Sequence, residues 1–199
     1  MRITGGHLRS RHLEAPKGAT TRPTSDRVRE ALFSILSARR SLEGLRILDL
    51  YAGTGALAFE ALSRGAAHAT LVEASADVAR IVRRNAESLG VLAQVSIVAA
   101  KVERALPRLT PPYDLVFVDP PYADVRDGRT SVALAPLKDL LSNAEELILE
   151  HASSDAPPSI PGCIRADTRT YGDTALSFYV GEQSHADLPD APDASDQTA

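Results

Sequence analysis

The chain has 199 residues, 44% of them hydrophobic and 24% charged, which suits one soluble globular domain with room for a real core. A single cysteine, Cys163, excludes an intrachain disulfide and any cysteine-rich metal cluster, and fits a reducing compartment. The net charge of −4 argues against a uniformly basic nucleic-acid binder, yet residues 1–46 hold ten Lys/Arg against four Asp/Glu, while residues 182–199 hold five acids and no base.

Residues 1–24 read as a basic extension. Gly5-Gly6 marks a turn between two short strand candidates, and the positive charge predicts a polyanion contact. The next segment, "SDRVREALFSILSARR", has helical spacing, with Val28, Ala31, Leu32, Ile35 and Leu36 on one face. Thr24 or Ser25 can cap it, with Asp26 in the first turn.

From Leu45 strands and helices alternate. "LRILDLY", "ATLVE", "AQVSIV", "DLVFVD" and "EELILEH" read as strands. Between them lie "GALAFEALSRG", "ADVARIVRRNAESLG", a short helix in "KVERALPRL" interrupted by Pro107, and a helix candidate over 131–142. "CIRADTRTYGDTALSFYV" holds two more strands meeting at Gly172-Asp173, a hairpin signal. The expected fold class is therefore α/β and Rossmann-like: a mostly parallel seven-stranded sheet with an antiparallel C-terminal hairpin. The expected organisation is an extension over 1–24, a catalytic domain over 25–182 and a disordered acidic tail over 183–199. No run approaches the roughly 20 apolar residues of a membrane span. The first residues lack a signal-peptide core, so the cytoplasm is the expected location.

Two sites in this pattern carry chemistry. After the first strand, "DLYAGTGAL" turns into a helix, and Gly53-Thr54-Gly55 lets the backbone pass close to a ligand. Asp49, four residues before Gly53, suits an ammonium group and is a poor neighbour for a pyrophosphate. Glu73, at the end of the second strand, can accept from both hydroxyls of a ribose. Ammonium at one end and ribose at the other describe S-adenosylmethionine (SAM), and NAD stays open because Glu73 also fits it. The second site is Asp119-Pro120-Pro121-Tyr122. Prolines cannot continue a sheet ladder, so the strand stops and a stiff loop holds a carboxylate, main-chain carbonyls and an aromatic ring at the ligand edge. Asp119 and the Pro120 carbonyl can accept the N–H bonds of an exocyclic nucleobase amine and aim its lone pair at a sulfonium methyl. Tyr122 can stack on the base, worth ~1–3 kcal/mol. The base must first be turned out of its helix.

"DLYAGTGAL", Glu73 and "DPPY" resemble class I SAM-dependent methyltransferases that modify exocyclic amines, without choosing among guanine N2, adenine N6 and cytosine N4. "TRPTSDRVREALFSIL", "GGHLRSRHLEAP" and "YGDTALSFY" are more specific and resemble the RsmD family, bacterial methyltransferases that make N2-methylguanosine in 16S ribosomal RNA. That resemblance spans about residues 1–181. It implies that Asp49, Tyr51, Ala52, Gly53, Thr54, Gly55, Glu73 and Asp119 contact SAM, with S-adenosylhomocysteine as the product and no metal. It implies that the Asp119–Tyr122 loop holds the guanine, and that Arg9, Arg11, Arg22, Thr24, Arg27 and Arg29 meet RNA. The implied partner is 16S rRNA in a complete or assembling 30S subunit, with no membrane and a monomeric enzyme.

One departure concerns the adenine. Many SAM enzymes place an acid after the third strand, whereas this chain has Lys101, which cannot accept from an adenine amine. Main-chain groups of Ala100, Lys101 and Val102 are expected to hold the adenine instead. Two alternatives remain at this level: an adenine-N6 methyltransferase on DNA or RNA, and a SAM-binding ribosome-assembly factor without turnover. His7 and His12 suit RNA contact or solvation, and Tyr51 a pocket wall or packing. His151 and Cys163 read as structural, Asn85 as an ordinary helix-surface residue, and Tyr171 and Asp173 as organisers of the hairpin.

Overall fold

The computed structural model describes residues 1–16, 26–110, 112–139 and 141–182. The predicted caps Thr24 and Ser25, the proposed RNA contacts Arg22 and Thr24, and the acidic tail lie outside the described residues. The chain forms α1 (Asp26–Arg39), β1 (Arg46–Leu50), α2 (Ala56–Ser63), β2 (His68–Glu73), α3 (Ala76–Leu89), β3 (Val95–Ala99), α4 (Val102–Ala105), β4 (Tyr113–Val118), α5 (Tyr122–Arg126), α6 (Arg129–Leu134), β5 (Leu141–Ala152), β6 (Cys163–Tyr171) and β7 (Thr174–Gly181).

The seven strands form one sheet in the order β3-β2-β1-β4-β5-β7-β6. The first five are parallel, and β7 runs antiparallel to both β5 and β6. This is the predicted α/β class with its antiparallel edge. β1 and β4 are buried along almost their whole length, as central strands covered on both faces must be. One face packs against α1, α2 and α3, the other against α4 and α6. The strand order reverses between β1 and β4, so their C-terminal ends open a crevice.

Element ends follow local chemistry. α3 is capped by Ser75, whose hydroxyl accepts from the Val78 N–H at 3.4 Å, and it ends at Gly90 in the left-handed region. The helix expected over 131–142 is instead the short α6 followed by a 3₁₀ turn at Ala135–Asp139, where Pro136 interrupts the α pattern. The strand expected from Ala93 begins at Val95, after a 3₁₀ turn.

Residues 1–16 are not a strand pair that stands off the domain. Only an isolated bridge, Arg2 to His12, forms between them. Ile3, Leu8 and Leu13 are buried in the same core as α1 and α2. Gly5-Gly6 serves a close approach to α2: a Cβ on Gly6 would sit 1.8 Å from the Ser63 carbonyl oxygen. Ser63 binds the segment from both sides, its carbonyl accepting from the His7 N–H at 2.8 Å and its hydroxyl from the Leu8 N–H at 2.9 Å.

Glu60 of α2 is the centre of this packing. Its carboxylate is fully buried and accepts from the Thr4 and Gly5 N–H groups and the Thr4 hydroxyl, each at 2.8 Å. Arg64 donates to it at 2.9 Å, and the Arg29 guanidinium lies 3.5 Å away. Arg29 therefore corrects an expectation. Proposed as an RNA contact, it is fully buried, donating to Asp26 at 2.9 Å and to the Arg2 carbonyl. The buried face of α1 is accordingly rotated: Arg29 and Phe33 are buried with Val28, Leu32 and Leu36, while Ala31 and Ile35 are half-buried.

Removing one member of a buried ion cluster leaves the others unpaired, so Glu60→Ala is expected to cost about 3–5 kcal/mol of stability. Urea unfolding checks it, with a smaller loss expected for Glu60→Gln, which keeps an acceptor.

Candidate active site

The turn after β1 stores backbone strain. Tyr51, Gly53 and Gly55 all have positive φ, of 63°, 53° and 81°. For Tyr51 this is a costly conformation, of the sort that clusters at functional sites. The two glycines serve different ends. A Cβ on Gly55 would lie 2.5 Å from the Phe59 ring and 2.9 Å from Leu71, so this glycine permits helix–sheet packing rather than approach to a ligand. A Cβ on Gly53 would meet nothing nearer than the Tyr51 carbonyl oxygen at 4.0 Å, and its N–H donates to Glu73 at 3.0 Å.

Glu73 reaches that position from the end of β2. One oxygen holds Gly53 and the other accepts from the Ser75 N–H at 2.8 Å. Each oxygen keeps a second acceptor site. Asp49 is 2% exposed, and its carboxylate accepts from the Ala58 N–H at 3.2 Å, serving one of the open donors in the first turn of α2. Burial pushes its pKa up to about 7, against the lowering effect of the Ala58 bond, and Glu73 adds a smaller upward push.

The second loop lies beside the first. The Asp119 N–H donates to the Leu50 carbonyl at 3.3 Å, tying the end of β4 to the end of β1. Pro120 is buried and half-buried Tyr122 opens α5. The Tyr122 hydroxyl donates to Glu150 at 3.3 Å and lies 3.2 Å from the Thr174 hydroxyl. Burial, with Glu150 and Asp119 nearby, raises its pKa.

A cavity of about 1390 Å³ joins both loops. Asp49, Tyr51, Ala52, Gly53, Thr54, Glu73, Lys101, Val102 and Asp119 to Tyr122 all line it, whereas Gly55 and Ala100 do not. Its volume exceeds the ~300–1,000 Å³ of an ordinary small-molecule pocket, leaving room for two ligands. Seven carboxylates line it against two basic side chains, Lys101 and Arg129. Arg129 is held by Asp124 at 2.6 Å and Asp127 at 3.0 Å. The lining thus favours a cationic ligand. Burial, then Asp124 and Glu103, pushes the Tyr51 phenol up to about 12. Among the described residues, no group of three or more His, Cys, Asp or Glu could hold a metal ion.

Several lining residues escaped the sequence reading. Met1, Ala15 and Pro16 bring both ends of the first described segment to the cavity. Asp124, Arg129 and Val132 come from α5 and α6, and Glu150 from β5. The signal for Glu150 was its place at a strand's C-terminal end. His151, its neighbour, is structural as expected: Nδ1 donates to the Ala152 carbonyl at 2.9 Å and Nε2 is hydrogen-bonded to the Ser177 hydroxyl at 2.9 Å. Asn85 is a further correction. It is 2% exposed, and its amide donates to the carbonyls of Thr54 at 3.1 Å and Glu14 at 3.0 Å while accepting from the Glu14 N–H at 2.7 Å. Helical spacing alone could not show that another segment covers this face of α3. Arg9, Arg11 and Arg27 are exposed and outside the cavity, with Arg11 donating to the Ser88 carbonyl.

The model of a family described as Conserved hypothetical protein 95 matches residues 1–180. YlbH of Bacillus subtilis (strain 168) is 31% identical over 186 residues, which make up 90% of this chain and 98% of that one. The chain belongs to this family, that of the RsmD methyltransferases. Ribosomal RNA small subunit methyltransferase D of Escherichia coli (strain K12) is 36% identical over 163 residues, 81% of this chain and 79% of that one. The solved structure of yhhF from Escherichia coli superposes with a TM-score of 0.78 at 31% identity, covering 90% of this chain and 96% of that one. The family fold is thus the class I methyltransferase sheet described above.

Asn85→Ala removes the clamp between Thr54, Glu14 and α3. It is expected to cost ~1–3 kcal/mol, the penalty for orphaned buried partners. Hydrogen exchange should rise at both Glu14 and the Gly53 turn, and urea unfolding should report the loss.

Proposed function

We propose that this chain transfers a methyl group from SAM to the exocyclic N2 amine of a guanosine in 16S rRNA. The observation that carries the proposal is the single cavity in which an acid-flanked glycine turn and the Asp-Pro-Pro-Tyr loop meet across the β1–β4 switch point. The relative named ribosomal RNA small subunit methyltransferase D supports the substrate class.

The residues fit the cofactor. Asp49 would face the ammonium group, and Glu73 would accept from the ribose hydroxyls with its remaining lone pairs. The acid-rich lining suits a molecule carrying both an ammonium and a sulfonium. The adenine would rest near Lys101 and Val102. When bound, SAM supplies an electrophilic methyl: the guanine N2 forms the new C–N bond as the C–S pair returns to sulfur and one N2 proton is released to solvent.

The chain's own contribution is positioning. An exocyclic amine is a poor nucleophile because its lone pair is delocalised into the ring. Asp119 and the Pro120 carbonyl would accept its two N–H bonds, favouring a tetrahedral nitrogen and aiming its lone pair. The two prolines hold those acceptors still. Tyr122, anchored at its hydroxyl, leaves its ring as a stacking surface for a flipped base. Phosphates would be received outside the acidic cavity by exposed Arg9, Arg11 and Arg27, while Arg22 and Thr24, expected from the sequence to join them, lie outside the described residues. The substrate would be a complete or assembling 30S particle, and the chain would act as a monomer.

Asp119→Ala is expected to lower turnover by about 10²–10³-fold while SAM binding stays within a few-fold. Methyl transfer to small-subunit particles lacking the native modification, read by nucleoside mass spectrometry, checks it. N2-methylguanosine that disappears in the variant is the supporting result. N6-methyladenosine would overturn the guanine assignment, and turnover retained by the variant would overturn the role of the loop.

Asp49 adds a pH test. Its folded pKa is raised, so Asp49 is mostly neutral below about 7 and ammonium binding must displace that proton. SAM affinity should therefore fall about tenfold per pH unit as pH drops below 7, and level off between there and the pH of about 8 at which an α-amino group loses its own proton. Calorimetry in buffers of different ionisation enthalpy would show the released proton, and Asp49→Asn should abolish both effects.

A further inference from the structure

Three nucleobases carry an exocyclic amine, and a loop that accepts its two N–H bonds does not tell them apart. The ring nitrogen beside the amine does. In guanine, N1 carries a hydrogen and donates. In adenine the neighbouring N1, and in cytosine N3, is an acceptor with no hydrogen at neutral pH. A carboxylate opposite that nitrogen attracts guanine and repels the other two.

The sheet register places such a carboxylate beside Asp119. Val118, the last residue of β4, pairs with Leu149 of β5; Asp119 follows directly, its N–H continuing the ladder to the Leu50 carbonyl, and Glu150 follows Leu149. Asp49 and Ile148 both pair with Phe117, and side chains two residues apart share a face. Asp49, Asp119 and Glu150 therefore lie on the same side of the sheet. Glu150 is 6% exposed and lines the cavity. The Tyr122 hydroxyl donates to one of its oxygens at 3.3 Å, which fixes the carboxylate beside the ring proposed to stack on the base.

We propose that Glu150 determines base specificity by accepting the N1–H of the target guanine while Asp119 and Pro120 hold its N2 amine. This inference rests on the proposed transfer to an exocyclic amine. Tyr122 then has two linked tasks, stacking on the base and orienting the carboxylate that reads its edge. A carboxylate oxygen turned toward an acceptor nitrogen meets repulsion where guanine would offer a donor, so discrimination against adenine and cytosine comes from repulsion as well as lost attraction.

The test replaces the target guanosine by 2-aminopurine, which keeps an exocyclic amine at C2 but has no hydrogen on N1. Small-subunit particles are reconstituted from ligated 16S rRNA carrying either base, and kcat/KM is measured for each. Wild-type protein is expected to favour guanine by about 10²-fold or more. Glu150→Gln keeps the shape and can turn a donor toward N1, so the preference should shrink at least about tenfold, with 2-aminopurine gaining in absolute rate. Glu150→Ala should narrow it too, with lower turnover on both. A purely structural role for Glu150 would lower both rates and leave their ratio unchanged, and that result overturns the assignment. Unaltered SAM binding in both variants, measured by calorimetry, guards against misfolding. Product on adenine, or no product from wild type, instead withdraws the proposed function and this inference with it.

Discussion

A buried carboxylate in the middle of α2 organises the region around the cavity. Glu60 has no access to water, so its charge must be met by donors from the protein. Those donors come from Arg64 at the end of α2 and from the first turn of the chain, and the α1 guanidinium of Arg29 adds a counter-charge 3.5 Å away. The result is that residues 1–16 become part of the core, with Ile3, Leu8 and Leu13 filling it. From there the segment runs along α3, where Arg84 binds Glu14 at 2.8 Å and Asn85 ties Glu14 to Thr54. Met1, Ala15 and Pro16 thereby reach the cavity wall. The ordered first segment and the walled cavity share one cause.

Charge is sorted in space as well as along the chain. The cavity is acidic, and the exposed arginines of the first segment lie outside it. A polyanion is repelled by such a cavity and attracted to such a surface. In the proposed reaction, this separates the parts of a nucleotide. The phosphates stay outside with the arginines, and an uncharged base enters alone. The same field favours a cationic cofactor over a dinucleotide, whose pyrophosphate would face Asp49 and Glu73. Net charge alone, at −4, gave no hint of this arrangement.

The parts of the fold set by local chemistry were legible from the sequence. Apolar runs read as central strands, Gly90 ends α3, and Gly172-Asp173 joins β6 to β7. Asp49, Glu73 and Asp119 were legible because strand ends in a parallel sheet converge on one edge. What could not be read was contact between distant segments. Arg29 resembles any surface arginine until Glu60 is known to be buried beside it. Asn85 occupies a helix face that only the tertiary structure covers. Gly55 fits a ligand-binding fingerprint, yet its missing Cβ accommodates Phe59 and Leu71. Glu150 needed the register of β4 and β5 before it could be placed beside Asp119.

Asp49 shows why a structural role and a binding role can occupy one residue. Its bond to the Ala58 N–H explains how a carboxylate comes to rest at the start of α2. That bond alone does not account for a charge there, because an asparagine would accept it equally well and would avoid the desolvation that lifts the pKa to about 7. An acid held at this point lowers stability progressively as pH rises from the ordinary carboxylate value of 3.8 to about 7, since the unfolded chain ionises far more easily. The positive φ of Tyr51, two residues later, is a second cost, in the backbone. Both costs fall on the turn that faces the cavity, and a cationic ligand against Asp49 would offset the first of them. Such a site is therefore expected to be stiffer and more stable with its ligand than without it.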